Sequence, residues 1–304
     1  MNLSKGTNSK PETFLGACRL DEVSLRQLTE RDIPAAMDLK NAAGWNQTEA
    51  DWRRFLTVYP DGCFAATYGE LLVGTVVTAQ YGAECAWISM MLVRPEFRRR
   101  GIGRRLMEQA IARAKTCSII GLDATPYGRH LYAVLGFEEC FQLQRMVSVS
   151  SCLHCPNKWS DGIGAAREME HRALFELDRT VFGADRTALL NHLVAEFPEA
   201  VVLARRNGRI TGACLSRRGS NFTQIGPVMA ESLSEAQNLV LTAITHLAGQ
   251  PAVMDVPCMH SEFSKWLESL GFVQQRPLWR MFYNGLRLVS DLPRLYAIAG
   301  PDLG

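Results

Sequence analysis

One run of residues carries the strongest chemical signal in the chain: Arg98-Arg99-Arg100-Gly101-Ile102-Gly103, followed by Arg104 and Arg105. Glycine lets the backbone turn sharply and lets a ligand come close to it. The first N–H groups of a helix have no partner inside the helix, and the helix dipole makes that end favour an anion. Arginine adds fixed charge and a planar fork that matches phosphate oxygens. A Gly-x-Gly turn set among arginines and leading into a helix therefore asks for a phosphate. A mononucleotide loop would end in Gly-Lys-Ser/Thr, whereas Gly103 is followed by two arginines. A dinucleotide fold would add a third glycine and alternating parallel βαβ units. Net charge is only +2, and no aromatic stacking pattern surrounds the run, which argues against a nucleic-acid partner. Taken alone, the run is equally compatible with a solvated, charged helix start.

The elements around it decide how it is presented. "ECAWISMMLVRP" reads as an apolar, central strand just before the run. After it, Leu106, Met107, Ala110, Ile111 and Ala114 share one face of a helix over Gly103–Lys115. Reading outward, the order is β-α-α-β-β-β-α-β-α-β over about 130 residues, one α+β unit by length. The same order recurs in the second half, down to "LYAVLGF…LQRMVSV" against "WLESLGF…LWRMFYN". That is the signature of a tandem duplication. The expected organisation is a flexible tail at 1–20, a first domain at 21–150, a linker at 151–165, a second domain at 166–288 and a tail at 289–304. Apolar content of 47% and charged content of 21% describe a globular protein. No apolar run is long enough to span a bilayer, and the first twenty residues lack the apolar core of a secretory signal, so no membrane partner and a cytoplasmic location are expected. Nine scattered cysteines do not form a disulfide framework. Cys152 and Cys155 lack the second pair that a structural zinc usually needs, so no metal is expected.

With this order in place, the chain resembles the GNAT acyltransferase superfamily. The family's acyl-CoA motif, Arg/Gln-x-x-Gly-x-Gly/Ala between the fourth strand and the following helix, is met by Arg98–Gly103. A second family motif, a tyrosine four residues before Gly-Phe, is met by Tyr132 with Gly136-Phe137. The resemblance implies an α+β fold of two tandem GNAT-like domains, each a mixed, mostly antiparallel sheet flanked by helices. It implies acetyl-CoA as co-substrate, its pyrophosphate wrapped by the amides of Arg98, Arg99, Arg100, Gly101, Ile102, Gly103 and Arg104. The fourth strand should splay from the fifth, placing Met91, Leu92 and Val93 beside the pantetheine arm. A main-chain N–H near Leu92 should polarise the thioester carbonyl. Tyr132 is the expected acid, and Glu84, just before the fourth strand, the candidate base. Thr125 departs from the asparagine many members use to contact pantetheine. The second half has "IGPVMAESLSEAQNLV" in place of the motif and Ser269 near the tyrosine's place, so it is expected to have lost acyl-CoA binding.

Trp45, Asn46 and Gln47 lie between the first two helices and are expected to wall the acceptor; Trp52 reads as core and His130 as structural. Asp255 and His260 are further residues that would close the acceptor pocket from the second half. The activity this implies is acyl-CoA-dependent N-acetyl transfer to the primary amine of a small molecule. A protein or peptide N-acetyltransferase and a non-catalytic acyl-CoA sensor are the alternatives.

Overall fold

A computed structural model describes residues 19–148, 162–247 and 249–304. Cys152, Cys155 and most of the expected linker lie outside the described residues. The alternation that begins at Val23 forms β1 (Val23–Gln27), and α1 (Ile33–Ala42) follows. Thr48 caps α2 (Glu49–Val58): the Thr48 amide and hydroxyl both donate to Asp51, at 2.7 and 2.9 Å, and Pro60 follows the helix. The hairpin β2 (Cys63–Tyr68) and β3 (Leu71–Tyr81) leads to β4 (Cys85–Val93), α3 (Ile102–Ala114), β5 (Ile119–Ala124), α4 (Arg129–Val134) and β6 (Phe137–Ser148). The second half repeats the order: β7 (Ile163–Ala165), α5 (His171–Phe182), α6 (Thr187–Glu196), β8 (Val202–Arg206), β9 (Arg209–Arg217), β10 (Thr223–Met229), α7 (Leu233–His246), β11 (Ala252–Pro257), α8 (Ser261–Ser269) and β12 (Val273–Tyr283). A last short strand, β13 (Leu295–Ala297), follows. Asn207 and Gly208 both take positive φ at the β8–β9 turn, as a tight hairpin requires.

All the strands join one sheet in the order β1-β2-β3-β4-β5-β12-β6-β11-β10-β9-β8-β7, with β13 against β10. The two halves exchange their final strands. β12 lies between β5 and β6, and β6 lies between β12 and β11. Pairing is antiparallel except β4 with β5 and β10 with β11. Each half thus ends inside the other's sheet, and the fold has no separable first and second sheet.

The core follows the two faces. Leu106, Met107, Ala110 and Ile120 form the first half's core under α3, and Leu239, Val240, Phe263 and Leu267 form the second half's under α7 and α8. The largest cluster, with Trp52, Phe55, Trp87, Phe182, Leu193 and Leu278, lies on the other face and joins α1 and α2 to α5 and α6. Trp52 is fully buried there, as expected of a core residue.

The segment 289–304, expected as a tail, is instead part of the core from Leu295 onward. Leu295, Ala297, Ile298, Ala299 and Leu303 are each at most 1% exposed. β10 and β11 pair only at Thr223–Ala252 and Gln224–Val253, then part. β13 enters the gap: it pairs with β10 at Val228 and Met229, and the Ile298 amide donates to the Asp255 carbonyl of β11 at 3.0 Å. Gly226 makes room, since a Cβ there would stand 2.0 Å from the Ile298 carbonyl oxygen. Composition hid this, because a short segment rich in Pro and Gly reads as loose, and its exposed Val289 gives no sign that the apolar residues from Leu295 onward turn inward. Leu303→Ala should therefore cost about 2–4 kcal/mol in urea unfolding at unchanged m-value. A true tail residue would change stability by less than about 0.5 kcal/mol.

Candidate active site

The site begins where two parallel strands separate. β4 pairs with β5 only over Cys85–Trp87 against Ile119–Gly121; beyond Trp87 the edge of β4 is unpaired on that side. A bulge at Met90, with φ +52°, shifts the β3–β4 register, and Thr75 Oγ1 holds it by donating to the Met90 carbonyl at 2.8 Å. The Arg94 amide donates to the Val73 carbonyl at 2.8 Å. By the alternation of a pleated strand, the Leu92 amide also faces β3, and the amides of Met91 and Val93 face the opening. The amide expected near Leu92 is thus offered by its two neighbours.

At the head of the opening the chain turns into α3. Arg99 (φ +59°) and Gly101 (φ +82°) are both left-handed, and Gly101 caps the helix without a side chain. Among the described residues, no protein acceptor meets the amides of Arg99, Gly101, Ile102, Gly103 or Arg104; the first helical bond runs from Arg105 to Gly101. Alternating backbone of this kind forms an anion-binding nest at a positive helix end. A Cβ added to Gly103 would face Leu131, Met91 and Val93 at 3.5–3.6 Å, in the cradle between α3, α4 and β4. The Arg98 side chain leans over Tyr127, its Nε donating to the Val93 carbonyl at 3.0 Å.

The corresponding helix start in the second half is closed. Ser232 caps α7 by accepting from the Glu235 amide at 3.2 Å, and Glu235 accepts from the Glu231 amide at 2.8 Å. One of its first-turn amides is engaged, two carboxylates repel an anion, and β13 fills the strand gap behind it.

One cavity of about 630 Å³ connects these features. Arg98, Arg99, Gly101, Gly103 and Arg104 line its upper end, and Met91, Leu92 and Val93 its flank. Thr125 and Tyr132 line it from the α4 side. Thr125 closes the turn into α4, its Oγ1 accepting from the Gly128 amide at 3.3 Å. Tyr132 packs edge-on against Phe137, its hydroxyl has no protein hydrogen bond among the described residues, and burial pushes its phenol above the ordinary range.

The cavity then passes to the sheet's other face. Leu143 and Leu278 belong to the core there, so Arg145 and Arg276, two residues along the same strands, face it too. Asp123 and Asp302 join them on the wall. Arg280 grips Asp123 through two bonds at 2.9 and 2.8 Å, and Asp255 grips Arg145 at 2.7 and 2.8 Å. Arg217 holds Asp302 Oδ1 at 2.6 Å and Asp51 Oδ1 at 2.6 Å. Burial pushes the Asp302 carboxyl above the ordinary range, with Arg217 pulling against the rise and Asp51 adding to it. Four buried polar atoms without partners belong to residues lining this cavity: Gln47 Oε1, Ser89 Oγ, Arg276 Nε and Asp302 Oδ2. Orphaned buried groups are costly, so their gathering on one wall marks a polar ligand's seat.

The remaining expected residues divide. Trp45 and Gln47 line the cavity. Asn46 lines it too, but its amide is engaged: it donates to the Phe222 carbonyl and accepts from the amides of Asn221 and Phe222, at 2.9–3.0 Å. It clamps a second-half loop and is not free for substrate. Arg100 and Ile102 do not line the cavity; Ile102 is buried under α3 and Arg100 leans on Phe97. Glu84 is exposed at the far end of β4, six residues and about 20 Å of strand from Met90, so it is placed for no role at this cavity. His130 is exposed and off the wall. Asp255 is held by Arg145, and His260 stacks on Tyr296 with Nε2 at 3.0 Å from the Leu292 carbonyl oxygen, so neither reaches the cavity. Arg145, Arg276, Asp123 and Asp302 were missed. The arginines had a signal, charge recurring at the inward phase of apolar strands; Asp302, in a segment read as tail, had none. Among the described residues no His/Cys/Asp/Glu group is arranged for a metal, and no helix is long and apolar enough to cross a membrane.

Comparison with known proteins agrees with this geometry. Residues 25–137 match the acetyltransferase (GNAT) family, and residues 174–297 match an acetyltransferase (GNAT) domain. The holothin acyltransferase of Pseudoalteromonas sp. (strain SANK 73390) is 25% identical over 86% of this chain and 88% of its own. An uncharacterized N-acetyltransferase of Bacillus subtilis (strain 168), YitH, is 27% identical over 71% of this chain and 76% of its own. In fold, the chain is similar to a presumptive acetyltransferase from Pyrococcus horikoshii, with TM-score 0.79, 22% identity and coverage of 95% and 98%. It is also similar to a tandem GNAT protein from the clavulanic acid biosynthesis pathway, with TM-score 0.61, 15% identity and coverage of 87% and 99%.

The anion seat can be tested without any assumption about the reaction. Asp is well tolerated in the first turn of a helix, and the Gly103 Cβ has room. Gly103→Asp should leave the melting temperature unchanged or slightly higher, yet weaken inorganic pyrophosphate binding in calorimetry roughly 100-fold, about 2.7 kcal/mol.

Proposed function

The chain belongs to the acetyltransferase (GNAT) family and is an acyltransferase, and from that premise we propose that it transfers an acetyl group from acetyl-CoA to the primary amine of a small molecule. One observation carries the reading: a single cavity runs from unpaired main-chain donors at the α3 start, past Tyr132, to unpaired acceptors on the opposite face of the sheet. The donors fit a diphosphate, and the free edge of β4 fits an amide-bearing arm laid along it. When bound, acetyl-CoA supplies an electrophilic carbonyl and a thiolate leaving group.

The protein's own groups then have separate tasks. The amides at the start of α3 hold the phosphates, and the β4 amides of Met91 and Val93 orient and polarise. Asp302 Oδ2 and Gln47 Oε1 are acceptors, so they favour an N–H donor in the acceptor half of the cavity. Asp302 takes the proton that the amine must lose as its C–N bond forms; burial raises its pKa and so makes it a stronger base than an ordinary aspartate. Tyr132, unpaired and on the α4 side, gives a proton to the sulfur as the C–S bond breaks. Burial disfavours its phenolate, so the proton is promptly regained from solvent or a water chain.

A peptide acceptor fits less well, because the acceptor half is walled by both halves of the chain and by residues 301–302. The relative named for holothin acylation takes a small molecule by its printed name, which supports the same class. Six described cysteines are free thiols, in keeping with cytoplasmic residence.

The direct test is a panel of amines with acetyl-CoA, followed by free-thiol release. Tyr132→Phe should lower kcat about 100-fold or more with acetyl-CoA binding unchanged by calorimetry. Asp302 must be ionised to accept a proton. Activity should therefore rise with pH through a pKa above the usual aspartate range, and Asp302→Asn should lower kcat/KM and remove that acidic limb. Thiol release from no amine in the panel would sink the transfer reading.

A further inference from the structure

We propose that the acceptor carries a carboxylate beside the amine that is acylated, and that Arg276, with Arg145 behind it, binds that carboxylate. This rests on the amine-acylating reading above and narrows its substrate class. Arg276 on β12 stands directly across from Arg145 on β6. Like charges facing each other across a ladder repel. Arg145 is neutralised by the bidentate grip of Asp255. Arg276 has no such partner: among the described residues it makes no ion pair, and its buried Nε has no hydrogen-bond acceptor. The carboxylate that acts on Arg276, Asp255, is bound to Arg145, and the others of this region are engaged elsewhere, Asp123 by Arg280, and Asp302 and Asp51 by Arg217. Burial weakens the hold of Arg276 on its proton and Arg145 adds to that, while Asp255, already bound to Arg145, offsets part of it.

A guanidinium stays protonated at neutral pH, so a half-buried one beside a second arginine is stable only when an anion answers it. Its planar fork matches a carboxylate. The phosphates bound at α3 do not fill this need, since α3 covers one face of the sheet and Arg276 faces the other. The same wall holds Asp302 Oδ2 and Gln47 Oε1, which complement an ammonium or amine. Unpaired donor and unpaired acceptors in one chamber describe a zwitterion-like small molecule.

The test uses matched amines: glycine with glycinamide, β-alanine with β-alaninamide, and 4-aminobutyrate with 4-aminobutyramide. Each is assayed by thiol release at saturating acetyl-CoA. At least one carboxylate should exceed its carboxamide by roughly tenfold or more in kcat/KM, mostly through KM. Arg276→Gln should reduce that ratio to about one, and Arg276→Lys should keep part of it. Arg276→Gln should melt no lower than the parent protein, because it relieves repulsion; a residue with a purely structural role would show a fall. Calorimetry with glutarate in the presence of CoA gives a readout independent of transfer: binding to the parent and not to Arg276→Gln. If no amine is acetylated but glutarate still binds through Arg276, the transfer reading fails and the anion site stands. Carboxamides accepted as well as carboxylates, a ratio unchanged in Arg276→Gln, or no glutarate binding to the parent protein would overturn the proposal.

Discussion

Parallel strands that part company leave main-chain groups with nothing to bond, and buried main-chain groups must be bonded. That constraint arises twice in this sheet. β10 and β11 separate after Gln224–Val253, and the chain answers with its own β13. β4 and β5 separate after Trp87–Gly121, and no strand among the described residues enters. The first gap is sealed and structural; the second is left open and lined. The same contrast appears at the adjoining helix starts, where Ser232 gives α7 a side-chain cap and Glu235 adds negative charge, while Gly101 offers α3 no side chain. An unpaired strand edge and an unpaired helix end side by side amount to a demand for an outside ligand with acceptors in both places.

The second half thus fills the gap that the first half leaves open, yet it builds part of the wall of the first half's cavity. Asp51 shows how. It caps α2, pairs with Arg54 at 2.8 Å and reaches Arg217 of β9, which in turn holds Asp302. Burial opposes its charge, yet Arg217 and Arg54 together keep its carboxyl below the usual range. The position of Asp302 therefore depends on a chain of contacts crossing from α2 to β9 to the last residues. The exchange of β6 and β12 fixes the same relation from the sheet side. It sets Arg145 of the first half opposite Arg276 of the second, a juxtaposition that neither half could make alone.

How much of this was legible beforehand follows physical lines. The element order, the duplication and the glycine turn into α3 were readable, because they rest on local periodicity and on glycine at a turn. Tyr132, Met91 and Val93 came from motif position, and they line the cavity. β7 was not seen, since Ile163-Gly164-Ala165 is too short and too Gly-rich to show alternation. β13 was not seen because a strand that plugs a gap needs no pattern of its own, only the right neighbours. Glu84 was chosen by its place ahead of a strand, yet the cavity lies toward that strand's other end. Asn46 was in the right wall, but its amide was already committed to the backbone at Asn221 and Phe222. Strand exchange left no trace in either half, because pairing between distant segments is written in complementarity and not in sequence order.

The buried charges on the acceptor side also argue against a purely structural origin for that chamber. Ion pairs removed from water are seldom better for stability than apolar residues of equal volume, since desolvation offsets most of the attraction. A core selected for stability alone would have filled the space among Trp87, Leu143 and Leu278 with more of the same. Instead it holds Asp123, Asp255, Asp302, Arg145, Arg217 and Arg280, each oriented by a partner at 2.6–3.0 Å. Such pairing immobilises side chains before a ligand arrives, which removes reorganisation from the binding step. What the pairs leave unsatisfied is then the informative remainder. Two acceptors, a serine hydroxyl and one guanidinium remain on residues lining a cavity that also reaches Tyr132, and a molecule bearing both donor and acceptor groups satisfies them together.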